Sequence, residues 1–269
     1  MMPGEDIRDA IARGDRQAVK AWLNAEDSDL NSRSVDGPTL LGKCVMAAAE
    51  SRSKYEARNH LEIGRLLVAR GARADTLGVG RLKISPLVIP ITSLNVAGTD
   101  EMYAWYDLLI GAGADPNSTS EVLVDGFRCR MSMLSRVCFF FPVAALITTE
   151  KRLELIKLLL RAGANPCVCY TSDTTLYTTY DTTWALDDAV ARRPDLADDE
   201  HYIAAKRLVE GVVAAGSYKK YVRLPLQELL NLLSLAQRRK LTTTDPVMKA
   251  LVGVDNHVVW NVFTYWAES

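Results

Sequence analysis

The side chains through which this chain could do chemistry are three histidines, five cysteines and two short runs of carboxylates. His60, His201 and His257 are far apart, and each has a polar helical context that predicts a surface position. Cys167-Val168-Cys169 could supply two thiolates to a zinc ion, but a structural zinc site needs a second Cys or His pair at finger spacing, and none follows. Gly78-Val79-Gly80 runs into Arg81-Leu82-Lys83 rather than a strand-to-helix turn, which is the wrong context for cradling a phosphate. Asp187-Asp188 and Asp198-Asp199-Glu200 could act as paired carboxylates, yet acids at helix N-termini are favoured by the helix dipole alone. The expectation is a non-catalytic chain with no metal and no cofactor. A metal-binding protein or an enzyme is the least favoured alternative.

Thirty-two basic and thirty-three acidic residues leave a net charge of −1, without the basic footprint of a nucleic-acid binder. Cys44, Cys129, Cys138, Cys167 and Cys169 form no regular framework, which suits reduced thiols in the cytoplasm or, alternatively, the nucleus. The first residues do not combine a basic stretch with an apolar run, so no secretory signal is read there. The most apolar segment, 139–147, has about half the length needed to cross a bilayer and contains Pro142. A soluble monomer with neither membrane nor nucleic-acid partners is expected.

The elements that would position these side chains repeat along the chain. Leu66-Leu67-Val68-Ala69-Arg70-Gly71-Ala72, Leu108-Leu109-Ile110-Gly111-Ala112-Gly113-Ala114-Asp115-Pro116 and Leu158-Leu159-Leu160-Arg161-Ala162-Gly163-Ala164-Asn165-Pro166 share one pattern, and a weaker copy ends at Gly216-Ser217. Each reads as an amphipathic helix closed by a glycine in the left-handed conformation. A small alanine then packs under the helix. A short polar residue bonds nearby amides, and proline prevents the helix from resuming.

These closures resemble the end of the second helix of an ankyrin repeat. The matching first-helix starts are Thr39-Leu40-Leu41, Ser85-Pro86-Leu87, Ser132-Met133-Leu134 and Trp184-Ala185-Leu186, of which Ser85-Pro86 has the best N-cap and first-turn chemistry. A shorter leading pair spans 7–23, with Gly14-Asp15 between its helices. The resemblance covers about 5–217 and implies an all-α solenoid of stacked antiparallel helix pairs with β-hairpin or loop connections. About five pairs are expected in 1–220, with a helical C-terminal cap or docking segment in 221–269. A repeat of this family is about 33 residues long, whereas Gly71, Gly113, Gly163 and Gly216 are 42, 50 and 53 residues apart. The excess is assigned partly to connections between paired helices (50–59, 95–100 and 192–200) and partly to the hairpins at 118–131 and 167–183. One pair has a second possible register, starting at Pro142 with 132–141 as an insertion. The start at Ser132 matches the other copies better.

After Ser217 the pattern stops. Leu224-Pro225 reads as the start of an amphipathic helix that ends on Arg238-Arg239-Lys240. Solenoids need a terminal cap, which this segment could supply. Pro-Leu-x-x-Leu-Leu followed by Arg-Arg is also weakly similar to a SOCS box, although Leu230 stands where that family has cysteine and its Leu-Pro-x-Pro is absent. That similarity implies an adaptor of a cullin-type ubiquitin ligase, with Leu226, Leu229, Leu230 and Leu233 docking ligase components.

The ankyrin resemblance implies a partner protein, bound where first helices and hairpin tips line a concave face. Loops carry such functions because they contribute little to the core. Phe127, Arg128 and Arg130 in the first long hairpin, with Tyr170, Tyr177, Tyr180 and Trp184 in the second, are the candidate contacts. Tyr, Trp and Arg are the types most enriched at energetic hot spots, and the Thr/Tyr alternation suits an extended hairpin. The competing reading is that these tyrosines only pack the hairpins against one another.

Overall fold

The structure, a computed structural model, describes residues 7–24, 30–31, 38–74, 87, 99–124, 127–139, 148–167, 170–172, 179–180, 182–238 and 257–258. It divides into two compact units, 1–209 and 210–269. The first is a stack of antiparallel helix pairs. Its described helices are α1 (Ile7–Arg13), α2 (Arg16–Leu23), α3 (Leu40–Glu50), α4 (Lys54–Ala69), α5 (Thr99–Gly111), α6 (Met133–Phe139), α7 (Thr149–Arg161) and α8 (Thr182–Arg192). A 3-10 turn, Pro194–Asp198, leads into α9 (Glu200–Ala215), within whose sequence the boundary between the units falls; α10 (Tyr218–Gln237) follows in the second unit. Pairs stack α1 on α3, α2 on α4, α4 on α5, α5 on α7 and α6 on α8. The expected partner of α5 lies outside the described residues except for Leu87, which is fully buried.

The glycine closures have the chemistry their sequence predicts. Gly71, Gly113, Gly163 and Gly216 have φ between 80° and 94°. After α4, the Gly71 amide donates to Val68 O at 2.9 Å and the Ala72 amide to Leu67 O at 3.0 Å; Gly113-Ala114 and Gly163-Ala164 repeat both bonds. This is a Schellman closure, which satisfies carbonyls that the helix end leaves open. Ala72, Ala114 and Ala164 are each 5 % exposed, as the packing role of the small side chain requires. Beyond the closures, the Asp115 and Asn165 side chains accept from the amides two residues on.

Helix starts are fixed by hydroxyl and carboxylate caps: Thr39 on Gly42 N, Ser53 on Glu56 N, Ser132 on Ser135 N, Thr148 on Lys151 N and Asp199 on Tyr202 N. The Ser132 cap puts the start of α6 at Met133, in the longer of the two registers. Asp15 caps α2 directly after Gly14, whose φ is 71°.

Three expectations need correction. The segment 50–59 is not a long connection: α4 starts at Lys54, and much of the extra length becomes a 16-residue helix. The last first-helix of the stack begins at Thr182 rather than Trp184, because the Thr182 amide donates to Pro166 O and fixes the chain there. His60 is buried, not on the surface. Its Nδ1 donates to Glu56 O at 2.8 Å, and its ring lies 3.5 Å from where a Cβ on Gly14 would stand, so it fills the contact between the leading pair and the next.

Side chains also bridge successive repeats. Asn117 donates to Gly163 O and accepts from Asn165 N, and Asn31 does the same toward Gly71 O and Arg73 N. Arg70 donates to Leu23 O and to Asn24 Oδ1, closing the end of α2 from the following repeat. Each bond contributes about 0.5–1.5 kcal/mol, so these bridges align the closures while the buried leucines hold the stack.

Candidate functional site

The two long hairpins supply four strands, of which β-branched residues favour the first (Thr119, Val122 and Val124) and Thr and Tyr the last two. Strand β1 (Thr119–Val124) and strand β2 (Phe127–Ser132) pair antiparallel from Thr119↔Ser132 to Val124↔Phe127, with only Asp125 and Gly126 between them in sequence. Asp-Gly is a favoured pair for a two-residue hairpin connection. Strand β3 (Tyr170–Ser172) pairs with β4 (Thr179–Tyr180), and β2 also pairs with β3, through Cys129↔Ser172 and Arg130↔Thr171. The hairpins of neighbouring repeats are therefore not separate fingers. They form one four-stranded antiparallel sheet in the order β1-β2-β3-β4.

Alternation along paired strands sorts the candidate residues. Glu121, Leu123, Arg128, Arg130, Thr171 and Thr179 hold positions on one face, while Val122, Val124, Phe127, Cys129, Tyr170 and Tyr180 hold positions on the other. The sheet brings Phe127, Tyr170 and Tyr180 to one face and Arg128 and Arg130 to the opposite face. Tyr177 lies outside the described residues. Trp184 sits apart from the sheet, on α8. Its ring stacks on Phe139 with centroids 6.3 Å apart, and the Arg192 guanidinium lies 4.2 Å from the Phe139 centroid. Glu121, directly across from Arg130, was not among the expected site residues. The register implied by Asp125-Gly126 was the signal that could have found it.

The first helices differ in how much surface they leave open. On α3, Lys43, Met46 and Ala47 are half-buried and Glu50 is exposed; on α8, Asp187 and Ala191 are exposed. All seven residues of α6 are buried, Ser135 and Arg136 included. The Ser135 hydroxyl is satisfied in a chain from Ser132 Oγ (3.0 Å) to Thr182 Oγ1 (3.1 Å), which ties α6 to α8. Desolvation pulls the Arg136 guanidinium down to about 10, with a smaller opposing contribution from Tyr106. The middle of the stack therefore offers no open first-helix face at α6, and the hairpin sheet is the distinctive feature there.

The other chemistry-bearing groups have structural surroundings. Burial pushes the Cys44 and Cys138 thiols far up. Asp187 pairs with Lys206 and Asp188 with Arg192. Burial acts to raise the Asp199 carboxyl, but the Tyr202 amide and Thr149 hydroxyl, with smaller help from His201, hold it below its ordinary value. Among the described residues, no group of three or more His, Cys, Asp or Glu is placed to hold a metal, and no helix is long and apolar enough to cross a membrane.

The tail differs from its expected form. Helix α10 does not start at Pro225 but at Tyr218, where Ser217 caps it through Lys220 N, and Pro225 lies inside it. The cap and the preceding Gly216 closure nucleate the helix earlier than the proline would. Leu226, Leu229, Leu230 and Leu233 fall at helical spacing on one stripe of α10, and Leu230 is half-buried.

No family model matches the chain, and no curated protein matches it. Among solved structures, a chain from the complex of a predatory endopeptidase of Bdellovibrio bacteriovorus with an immunity protein is 16 % identical, with a TM-score of 0.39; the match covers 76 % of this chain and 98 % of that one. An ankyrin repeat domain from Acinetobacter baumannii is also 16 % identical, with a TM-score of 0.38, over 74 % of this chain and 96 % of that one.

Proposed function

We propose that this chain is a non-catalytic interaction module that binds a partner protein through the sheet formed by its two long hairpins. The observation that carries the reading is the joining of the hairpins of adjacent repeats into one sheet. A helical stack does not need a lengthened four-stranded sheet in order to close its repeats. The burial of every residue of α6 supports the same choice, since it removes that part of the concave helix face as a binding surface. The sheet presents two chemistries, with aromatic positions 127, 170 and 180 on one face and cationic positions 128 and 130 on the other. A partner is recognised through one of them.

Affinity purification with mass spectrometry tests the proposal. Charge reversal at Arg128 and Arg130 removes the cationic face. Alanines at Tyr170, Tyr177 and Tyr180 remove the second hairpin's aromatic side chains. At least one of these two variants is expected to lose partners that the unaltered chain retains, with its melting temperature unchanged. Retention of every partner by both variants overturns the reading.

A further inference from the structure

In the second unit, α10 has two apolar stripes where a surface helix needs only one. Opposite the stripe of Leu226, Leu229, Leu230 and Leu233, three more leucines face solvent: Leu224 (44 % exposed), Leu232 (44 %) and Leu235 (39 %). Eight and eleven residues separate the last two from the first, so all three fall within roughly 80° of arc. Of the large apolar side chains exposed among the described residues, all but Tyr55 belong to this unit. Exposed Lys220 and Arg238 lie on the same side of the helix, one at each end of the leucine stripe and about 27 Å apart.

We propose that this outer face of α10 docks an amphipathic helix of another protein, one with carboxylates at both ends of a short leucine-type stripe. The charges select that occupant. A second copy of this chain does not fit, because antiparallel pairing sets Lys220 against Arg238 at both ends and parallel pairing sets Lys220 against Lys220. A bilayer is disfavoured because exposed Glu228 and Asn231 sit among the leucines, where insertion would bury them. An acidic-ended helix covers the leucines, complements both cations and can offer polar side chains to Glu228 and Asn231 at mid-stripe, which the interior of a bilayer cannot. The inference concerns the second unit only and is independent of the sheet.

The test uses the full chain and two synthetic helical peptides with the same leucine spacing, one with glutamates and the other with lysines in its first and last turns. The glutamate peptide is expected to bind and the lysine peptide not. L232S/L235S should weaken binding roughly tenfold or more, and K220E/R238E should reverse the preference between the peptides, with circular dichroism unchanged in both variants. Equal binding of the two peptides, binding of neither, or leucine-dependent capture of the chain by phosphatidylserine vesicles overturns the proposal.

Discussion

Gly163 and Gly64 are both glycines for reasons the structure separates. At Gly163 a Cβ would meet nothing within 4 Å, but φ is 94°, so the requirement is conformational. At Gly64 a Cβ would overlap Trp105 Cη2, so the requirement is space for the indole of α5 against α4. Gly163→Ala should cost about 1–2 kcal/mol and Gly64→Ala about 1–3 kcal/mol. Thermal denaturation of the single variants and of each combined with Trp105→Leu distinguishes the two: the smaller side chain should relieve the Gly64 variant and leave the Gly163 variant unimproved. The first requirement was legible in the sequence, because Gly-Ala-Asn-Pro after three leucines specifies a closure. The second was not, since it depends on a side chain some forty residues away. Asp199 belongs to the same scale. Its carboxyl is held below the ordinary value, so its contribution is fully present above the ordinary carboxylate pKa near 3.8 and is lost as pH falls through the lower folded value. Asp199→Asn should therefore lower the melting temperature at neutral pH, and the difference from the unaltered chain should shrink below about pH 4. A difference that persists undiminished there would contradict the electrostatic account.

Elements were legible where local chemistry fixes their ends. Thr39, Ser132 and the Gly-Ala closures marked helix boundaries that the structure retains. The exceptions are boundaries set by competition between neighbouring signals. In α10, the proline was read as a first helical position, but the preceding Ser217 caps the helix and determines its start. Pro225 then occupies a helix interior without an amide to donate. Pro225→Ala should stabilise the second unit by up to about 3 kcal/mol, seen as slower hydrogen exchange across 218–237. Unchanged or faster exchange would point to a helix that starts at the proline after all. The sheet is the other case. Thr/Tyr alternation and Asp-Gly indicate hairpins, but pairing between β2 and β3 needs two repeats stacked at the right height, which no local pattern specifies.

At the scale of the whole molecule, a regular repeat pattern with irregular spacing yields a stack in which the extra residues build a second structure. Some of the excess lengthens α4, some forms the 3-10 connection before α9, and some makes the four-stranded sheet. Repeats of ordinary length would give the stack without the sheet. That is why function is placed on the insertions, and why the buried titratable groups of the stack are read as structural. The most direct measurement is backbone hydrogen exchange on the full chain, with and without a partner recovered by affinity purification. The account predicts slowed exchange across 119–132 and 170–180, with α3 and α8 little changed. Protection confined to the helices, with the sheet exchanging as in the free chain, would contradict it.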